Sequence, residues 1–234
     1  MWVAGADGCP RGWLVVFRST SGQSPRAEIF EKIADAFTAP EQPKIIAIDI
    51  PIGLPAVSQE GGRSADREAR KMLSLRKSSI FPTPSRPVLR ARSFKEAKAI
   101  EQRNSKPPKM LTKQVSNILC KIREVDAIAA LHSGRIFECH PEVSFWAMNN
   151  KNEMSLPKRK SQGFDERCNI LAQNKFAHSF LTTRVGSYKE HSRDDLTDAC
   201  VAAWTAERIL RKQAIRFPAK SDLDDCGLDM AIWA

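Results

Sequence analysis

No run in this 234-residue chain approaches the roughly 20 consecutive apolar residues of a membrane span, which excludes a helical membrane protein. The first residues enter an apolar, strand-like stretch at once, so no signal or transit peptide is expected and a cytoplasmic location is. None of the six cysteines (Cys9, Cys120, Cys139, Cys168, Cys200, Cys226) belongs to a CxxC pair. That argues against a zinc site and a disulfide framework, and for reduced thiols. No base is placed by spacing beside Cys9 or Ser79, so covalent nucleophilic chemistry has no support. No internal repeat is visible, which excludes a solenoid.

What the chain does have is positive charge. The formal net charge is +10. Residues 63–98 hold eleven basic side chains against three acids, Asp66, Glu68 and Glu96. Lys106, Lys109 and Lys113 extend the segment. Such a concentration suits a polyanionic partner, nucleic acid first, or a plain solvated basic face.

Along the chain, Trp2 to Phe17 reads as strand, tight turn at Gly8–Gly12, and strand, a hairpin carrying Asp7 at the end of its first arm. Ala27–Phe30 reads as a third strand and Glu31–Phe37 as a short helix. Lys44–Ile50 is an apolar, β-branched run between prolines, a buried strand ending in Asp49. Residues 56–131 read as a basic helical insertion, with helices at Ser64–Leu75, Ser93–Arg103 and Lys113–Glu124 and a further piece from Asp126 to Leu131. Ser64 is the expected N-cap of the first. Arg135–His140 reads as a fifth strand, Glu142–Met148 as a helix start, and residues 149–161 as a polar, basic loop. Helices follow at Phe164–Asn174 and Lys175–Thr182. Ser192 opens a long helix to about Gln213, with Leu196, Ala199, Cys200, Ala203, Trp204 and Leu210 at helical spacing. The expected whole is a single α/β domain over 1–234. The order βββαβ then αβα belongs to the ribonuclease H-like architecture, a mixed five-stranded sheet with helices on both faces.

Acids stand at the ends of these elements: Asp7, Asp49, Glu138 and Asp194/Asp195/Asp198. In that topology strands one and four are adjacent and the last helix packs across them, so Asp7, Asp49 and the start of the helix should converge. Asp195 and Asp198 share a helix side, as do Asp194 and Asp198. Asp194 and Asp195 also suit a helix first turn, where acids are favoured and Ser192 can cap. Clustered carboxylates repel, and a hard divalent cation such as Mg²⁺ or Mn²⁺ relieves the conflict. His140 is a candidate proton carrier.

The pieces Gly5-Ala-Asp-Gly-Cys-Pro-Arg-Gly-Trp13, Ile48-Asp-Ile-Pro-Ile-Gly-Leu-Pro55, Asp66-Arg-Glu-Ala-Arg70 and Ser78-Ser-Ile-Phe-Pro82 carry a resemblance. So do Glu138-Cys-His-Pro-Glu142, Asp194-Asp-Leu-Thr-Asp-Ala199 and the Gly227–Trp233 tail. Together they resemble the domain of unknown function 429 family of predicted ribonuclease H-like nucleases. The Asp195-to-Asp198 spacing is also similar to the last-helix acids of Holliday-junction resolvases. The resemblance implies metal ligation at Asp7, Asp49, Asp195 and Asp198.

The function expected is a Mg²⁺- or Mn²⁺-dependent nuclease or phosphodiesterase acting on nucleic acid. Its catalytic acids are Asp7, Asp49, Asp195, Asp198 and Glu138, and its substrate-binding residues Arg11, Arg67, Arg70, Ser79 and His140. The alternative is a catalytically silent nucleic-acid or protein-binding module of the same fold. A sugar-kinase-like phosphotransferase would need a second such domain around a nucleotide cleft, which a chain of this length with one acidic set lacks.

Overall fold

The computed structural model describes residues 1–186 and 191–234. Its centre is a mixed five-stranded sheet. β1 (Trp2–Cys9), β2 (Gly12–Ser19) and β3 (Arg26–Phe30) form an antiparallel meander. β4 (Ile46–Ile48) and β7 (Ile136–Glu138) run parallel to β1. Two minor pairs lie outside the sheet: β5 (Ser58–Gln59) with β6 (Ser105–Lys106), and β8 (Arg216–Phe217) with β9 (Ile232–Trp233).

Successive residues of a strand point to opposite faces, and this period of two sorts the core. Ala4, Ala6, Trp13, Val15, Phe17, Ile46 and Ile48 belong to one cluster. They pack with α1 (Ile33–Ala36) and with Val115, Leu119, Ile122 and Val125 of α4 (Lys113–Ala129). Leu14 and Val16 belong to the opposite face, with Ala199, Cys200 and Ala203 of α8 (Arg193–Leu210). Val3, Ile45 and Ala47 pack there against Ala202 and Ala206. α8 is in turn covered by α5 (Pro141–Met148) and α6 (Ser161–Gln173), followed by the short α7 (His178–Leu181). α2 (Ser64–Lys71) and α3 (Phe94–Arg103) lie in the basic segment.

α8 can lie this close to β1 because residue 5 is glycine. A Cβ there would stand 2.0 Å from the Ala203 amide nitrogen and 2.2 Å from the Ala199 carbonyl oxygen. Both are backbone atoms of the helix, so no side-chain rotation would relieve the contact.

Several expectations need correction. The fourth and fifth strands are shorter than the apolar runs that carry them, because pairing stops where the chain turns at Pro51 and Pro141. α4 is one helix with no break near Asp126, and its apolar stripe covers the sheet. Residues 113–129 are therefore part of the central layering and not of an insertion. α2 stops at Lys71, and its cap is Arg63, one residue before the Ser64 expected from sequence: Asp66 accepts the Arg63 N–H at 2.9 Å. The tail contributes β9, which pairs antiparallel with β8. All six cysteines are free.

Candidate functional site

Gly5 pairs with Ala47 and Ala6 with Ile48 in the parallel β1–β4 register. One step further, Asp49 donates its N–H to the Ala6 carbonyl at 3.1 Å. Asp7 and Asp49 thus stand side by side where two neighbouring parallel strands end. By the period of two, both belong to the face that carries α8. On α8, Asp198 lies one turn before Ala202, which packs over Ala47 and Val3. The helix therefore sets Asp198 over the strand ends, and Asp7, Asp49 and Asp198 line one cleft of about 340 Å³. Gly8, Ser79, Lys121, His140, Glu142 and Lys158 line it too.

The electrostatics of this group are strained. Asp7 is buried, and burial pushes its carboxyl well above the usual carboxylate range; Asp198, Asp49 and then Asp195 push it further, and Lys158 opposes them. Its Oδ1 accepts the Gly8 N–H at 2.7 Å. Asp49 is raised by burial, with His140 and Lys158 lowering it. Asp198 is only 1% exposed, and burial pushes it up to about 7 against the pull of Lys158. Its Oδ2 accepts from Lys158 Nζ at 2.5 Å, whereas its Oδ1 is buried without a hydrogen-bond partner among the described residues. A buried, unpartnered carboxylate oxygen is costly and needs a reason.

Lys158 is the residue that sequence reading missed. Its ammonium bridges Asp198 and Asp194, the latter at 3.2 Å. The two carboxylates, the nearby Asp7 and the hydrogen bond to Asp198 outweigh burial and hold it firmly protonated. Lys158 sits in the segment that reads from sequence as a polar loop, and nothing in its composition singled out one lysine among several. Asp194 had a signal, the four-residue spacing to Asp198. Burial raises its carboxyl, but Lys158 and Ser192 bring it below the ordinary value.

The other expected site residues divide. Asp195 turns back on its own helix end, accepting the Ser192 N–H at 2.7 Å and the Ser192 hydroxyl. It makes the cap of α8 while remaining close enough to raise Asp7. Glu138 pairs with Ile48 across the sheet, which aligns it with the face opposite to Asp7 and Asp49. Both its oxygens are taken: Arg63 donates at 2.6 and 2.8 Å and the Ile52 N–H at 2.7 Å. Arg63 is itself buried and also holds Asp66 at 2.7 Å. This is an ion-paired anchor for the chain after β4, and Glu138 reaches the cleft only as part of its wall.

Among the expected substrate-binding residues, His140 and Ser79 do line the cleft. His140 Nε2 is 3.4 Å from the Ser79 carbonyl, and the Ser79 hydroxyl donates to the Arg76 carbonyl at 2.7 Å. Arg11 is exposed in the β1–β2 turn, at the same end of the sheet as Asp7. Arg67 and Arg70 instead bind backbone carbonyls. Arg67 donates to Gly62, and Arg70 to Ile80 at 2.8 Å and Gly61 at 3.0 Å. Arg86 is likewise engaged, with Asp126 and Asp224. Much of the basic excess of 63–98 therefore holds loops together, while Lys71, Lys77, Arg90, Arg92 and Lys95 are exposed.

Among the described residues, no three His, Cys, Asp or Glu side chains are gathered into a ready-made metal cage. Lys158 holds one oxygen of Asp198, and Asp195 is held by its own helix cap. Among those residues no helix is long and apolar enough to cross a membrane.

A family model matches residues 5–223, and the chain belongs to that family, described as Protein of unknown function (DUF429). No curated protein and no solved structure matches the chain.

Proposed function

We propose that this protein is a divalent-metal-dependent phosphodiesterase of ribonuclease H-like architecture that acts on nucleic acid. The strand order β3-β2-β1-β4-β7, with only β2 antiparallel to the rest, supports the architecture. The observation that carries the function is the meeting of Asp7, Asp49 and Asp198 in one cleft, with the Asp198 Oδ1 buried and without a partner among the described residues.

The donor chemistry suits a hard cation, the three acids lining one cleft without forming a ready-made cage among the described residues. Three carboxylates are all-oxygen ligands, and burial and crowding raise each of them, a conflict that a divalent ion relieves. Asp7, Asp49 and Asp198 are the residues that would hold Mg²⁺ or Mn²⁺. When bound, such an ion lowers the pKa of a ligand water and offsets charge on the leaving oxygen in phosphodiester hydrolysis. The chain's own groups do the rest. Asp7 and Asp49 are held rigidly by the β1–β4 ladder and Asp198 by the packing of α8 on Gly5. His140 lines the same cleft as the candidate proton carrier. Arg11 and the exposed lysines and arginines of 63–98 supply sequence-independent, salt-sensitive attraction for a phosphate backbone.

One observation favours a second reading, a silent binding module: Lys158 already neutralises Asp198 and Asp194. Cleavage assays on single-stranded, duplex, hybrid and branched substrates with Mg²⁺ or Mn²⁺ separate the two. The first reading expects cleavage by the wild type and none by Asp7→Asn or Asp198→Asn. Equal activity in all three proteins would remove the acids from the mechanism. Salt-dependent nucleic-acid binding with neither metal uptake nor cleavage would establish the second.

A further inference from the structure

Lys158 is not carried on a loose loop. Just before it, the Ser155 and Leu156 N–H groups donate to the Glu166 carboxylate at 2.9 and 3.1 Å. The Leu156 carbonyl accepts from Arg167 Nη1 at 3.0 Å. The Pro157 carbonyl lies against α6 where residue 163 is glycine; a Cβ there would come within 2.1 Å of that oxygen. The same carbonyl accepts the Lys160 N–H at 3.0 Å. Arg167 is fully buried, and its other nitrogen holds Glu142 on the cleft wall at 2.7 and 2.9 Å. The backbone on both sides of Lys158 is thus fixed to α6, and α6 is fixed to the cleft.

The ammonium that this scaffold delivers sits 2.5 Å from Asp198 Oδ2 and 3.2 Å from Asp194 Oδ2. The other oxygen of Asp198 has no partner among the described residues. The two oxygens of one carboxylate therefore differ: one is satisfied by a built-in cation, and the other is buried with no donor among the described residues. Lids and gates are drawn from weakly held segments, and this segment is held by a carboxylate, a buried guanidinium and a glycine seat.

We propose that Lys158 is a resident cation of the acidic site, standing where a second metal ion would otherwise bind, so that the site takes a single divalent ion on the Asp7, Asp49 and Asp198 Oδ1 side. The proposal rests on the reading of these acids as a metal site and specifies its stoichiometry. A metal ion cannot occupy the position of the ammonium, whose charge at hydrogen-bond distance from Asp198 Oδ2 repels a second cation there, and the scaffold opposes withdrawal of the lysine. Glu166, Arg167 and Gly163 act as positioning residues for it.

The test is Mn²⁺ titration of the wild type and of Lys158→Met, which keeps an unbranched apolar stem, by calorimetry and electron paramagnetic resonance. The wild type is expected to bind one Mn²⁺ per chain with an isolated six-line spectrum. Lys158→Met is expected to bind two, with an exchange-coupled spectrum, and to bind the first at least about tenfold more tightly because a nearby positive charge is gone. Two ions in the wild type, or an unchanged single ion in Lys158→Met, would overturn the inference while leaving the metal site standing. No Mn²⁺ in either protein would overturn the metal reading and this inference with it. If Lys158→Met does not fold, the wild-type stoichiometry and spectrum still decide between one ion and two.

Discussion

Gly5→Ala adds one methyl group and should separate the two elements that build the site. Residue 5 lies in a regular strand, so the penalty is steric. The new Cβ would sit 2.0 Å from the Ala203 nitrogen; reaching the 3.4 Å of ordinary van der Waals contact requires α8 to retreat about 1.4 Å. The retreat would open a gap along Val3, Ala47, Ala202 and Ala206, which are buried against one another. Overpacking ordinarily costs about 1–3 kcal/mol. Here the obstructing atoms are backbone, so the cost belongs at the upper end, about 3 kcal/mol, or a fall in Tm of about 6–12 °C for a chain of this size. The same movement carries Asp198 away from Asp7 and Asp49, and a displacement of about 1 Å is enough to cost about a hundredfold in a reaction that depends on positioning. Urea unfolding and Mn²⁺ titration measure the two consequences separately. A variant as stable as the wild type would refute the close packing of α8 on β1. One that is destabilised but binds Mn²⁺ equally well would refute the dependence of the site on that packing.

Neutralising an acid at the site should have the opposite effect on stability. Burial first, and then Asp198 and Asp49, raise the Asp7 carboxyl, so the folded chain binds a proton more readily than the unfolded one from about pH 4 upward. Stability therefore falls as pH rises through that window, and above it the ionised carboxylate opposes folding in full. Asp7→Asn in the presence of a chelator should gain about 1–2 kcal/mol at pH 8, seen as a Tm higher by about 2–8 °C, and the gain should vanish toward pH 4; a lower Tm at pH 8 would contradict the assignment. Glu138→Gln should leave Mn²⁺ affinity unchanged, because both Glu138 oxygens are held by Arg63 and the Ile52 N–H away from the three aspartates. Lost Mn²⁺ affinity at unchanged stability would return Glu138 to the acidic site. Asp195→Ala should lose about 1 kcal/mol through the α8 cap and bind Mn²⁺ as the wild type does; calorimetry checks the second half.

The strands and the last helix are legible in the sequence because their apolar residues recur at periods of two and 3.6, and because Asp7 and Asp49 interrupt apolar runs at strand ends. The central position of β1 and β4 follows from the order of elements. What is not legible is which acid finds which cation. Glu138 meets Arg63 across 75 residues and Asp198 meets Lys158 across 40. Such pairings depend on how distant segments settle on the sheet, and every lysine of 149–161 looks alike before that happens. Asp195 and Asp198 look equivalent by spacing, yet the first-turn position gives Asp195 a nearby backbone donor that Asp198 lacks. The basic character of 63–98 is real, but charge counting cannot distinguish an arginine that faces solvent from one, such as Arg63 or Arg70, that ties down carbonyl groups.

The central claim is that Asp7, Asp49 and Asp198 are the ligands of a divalent ion. Anomalous diffraction from crystals equilibrated with Mn²⁺ tests it directly. The account predicts one Mn²⁺ bound to Asp7, Asp49 and the free oxygen of Asp198, with Lys158 still on the other oxygen. A cleft with no anomalous peak at saturating Mn²⁺, its three carboxylates placed as before, would contradict it.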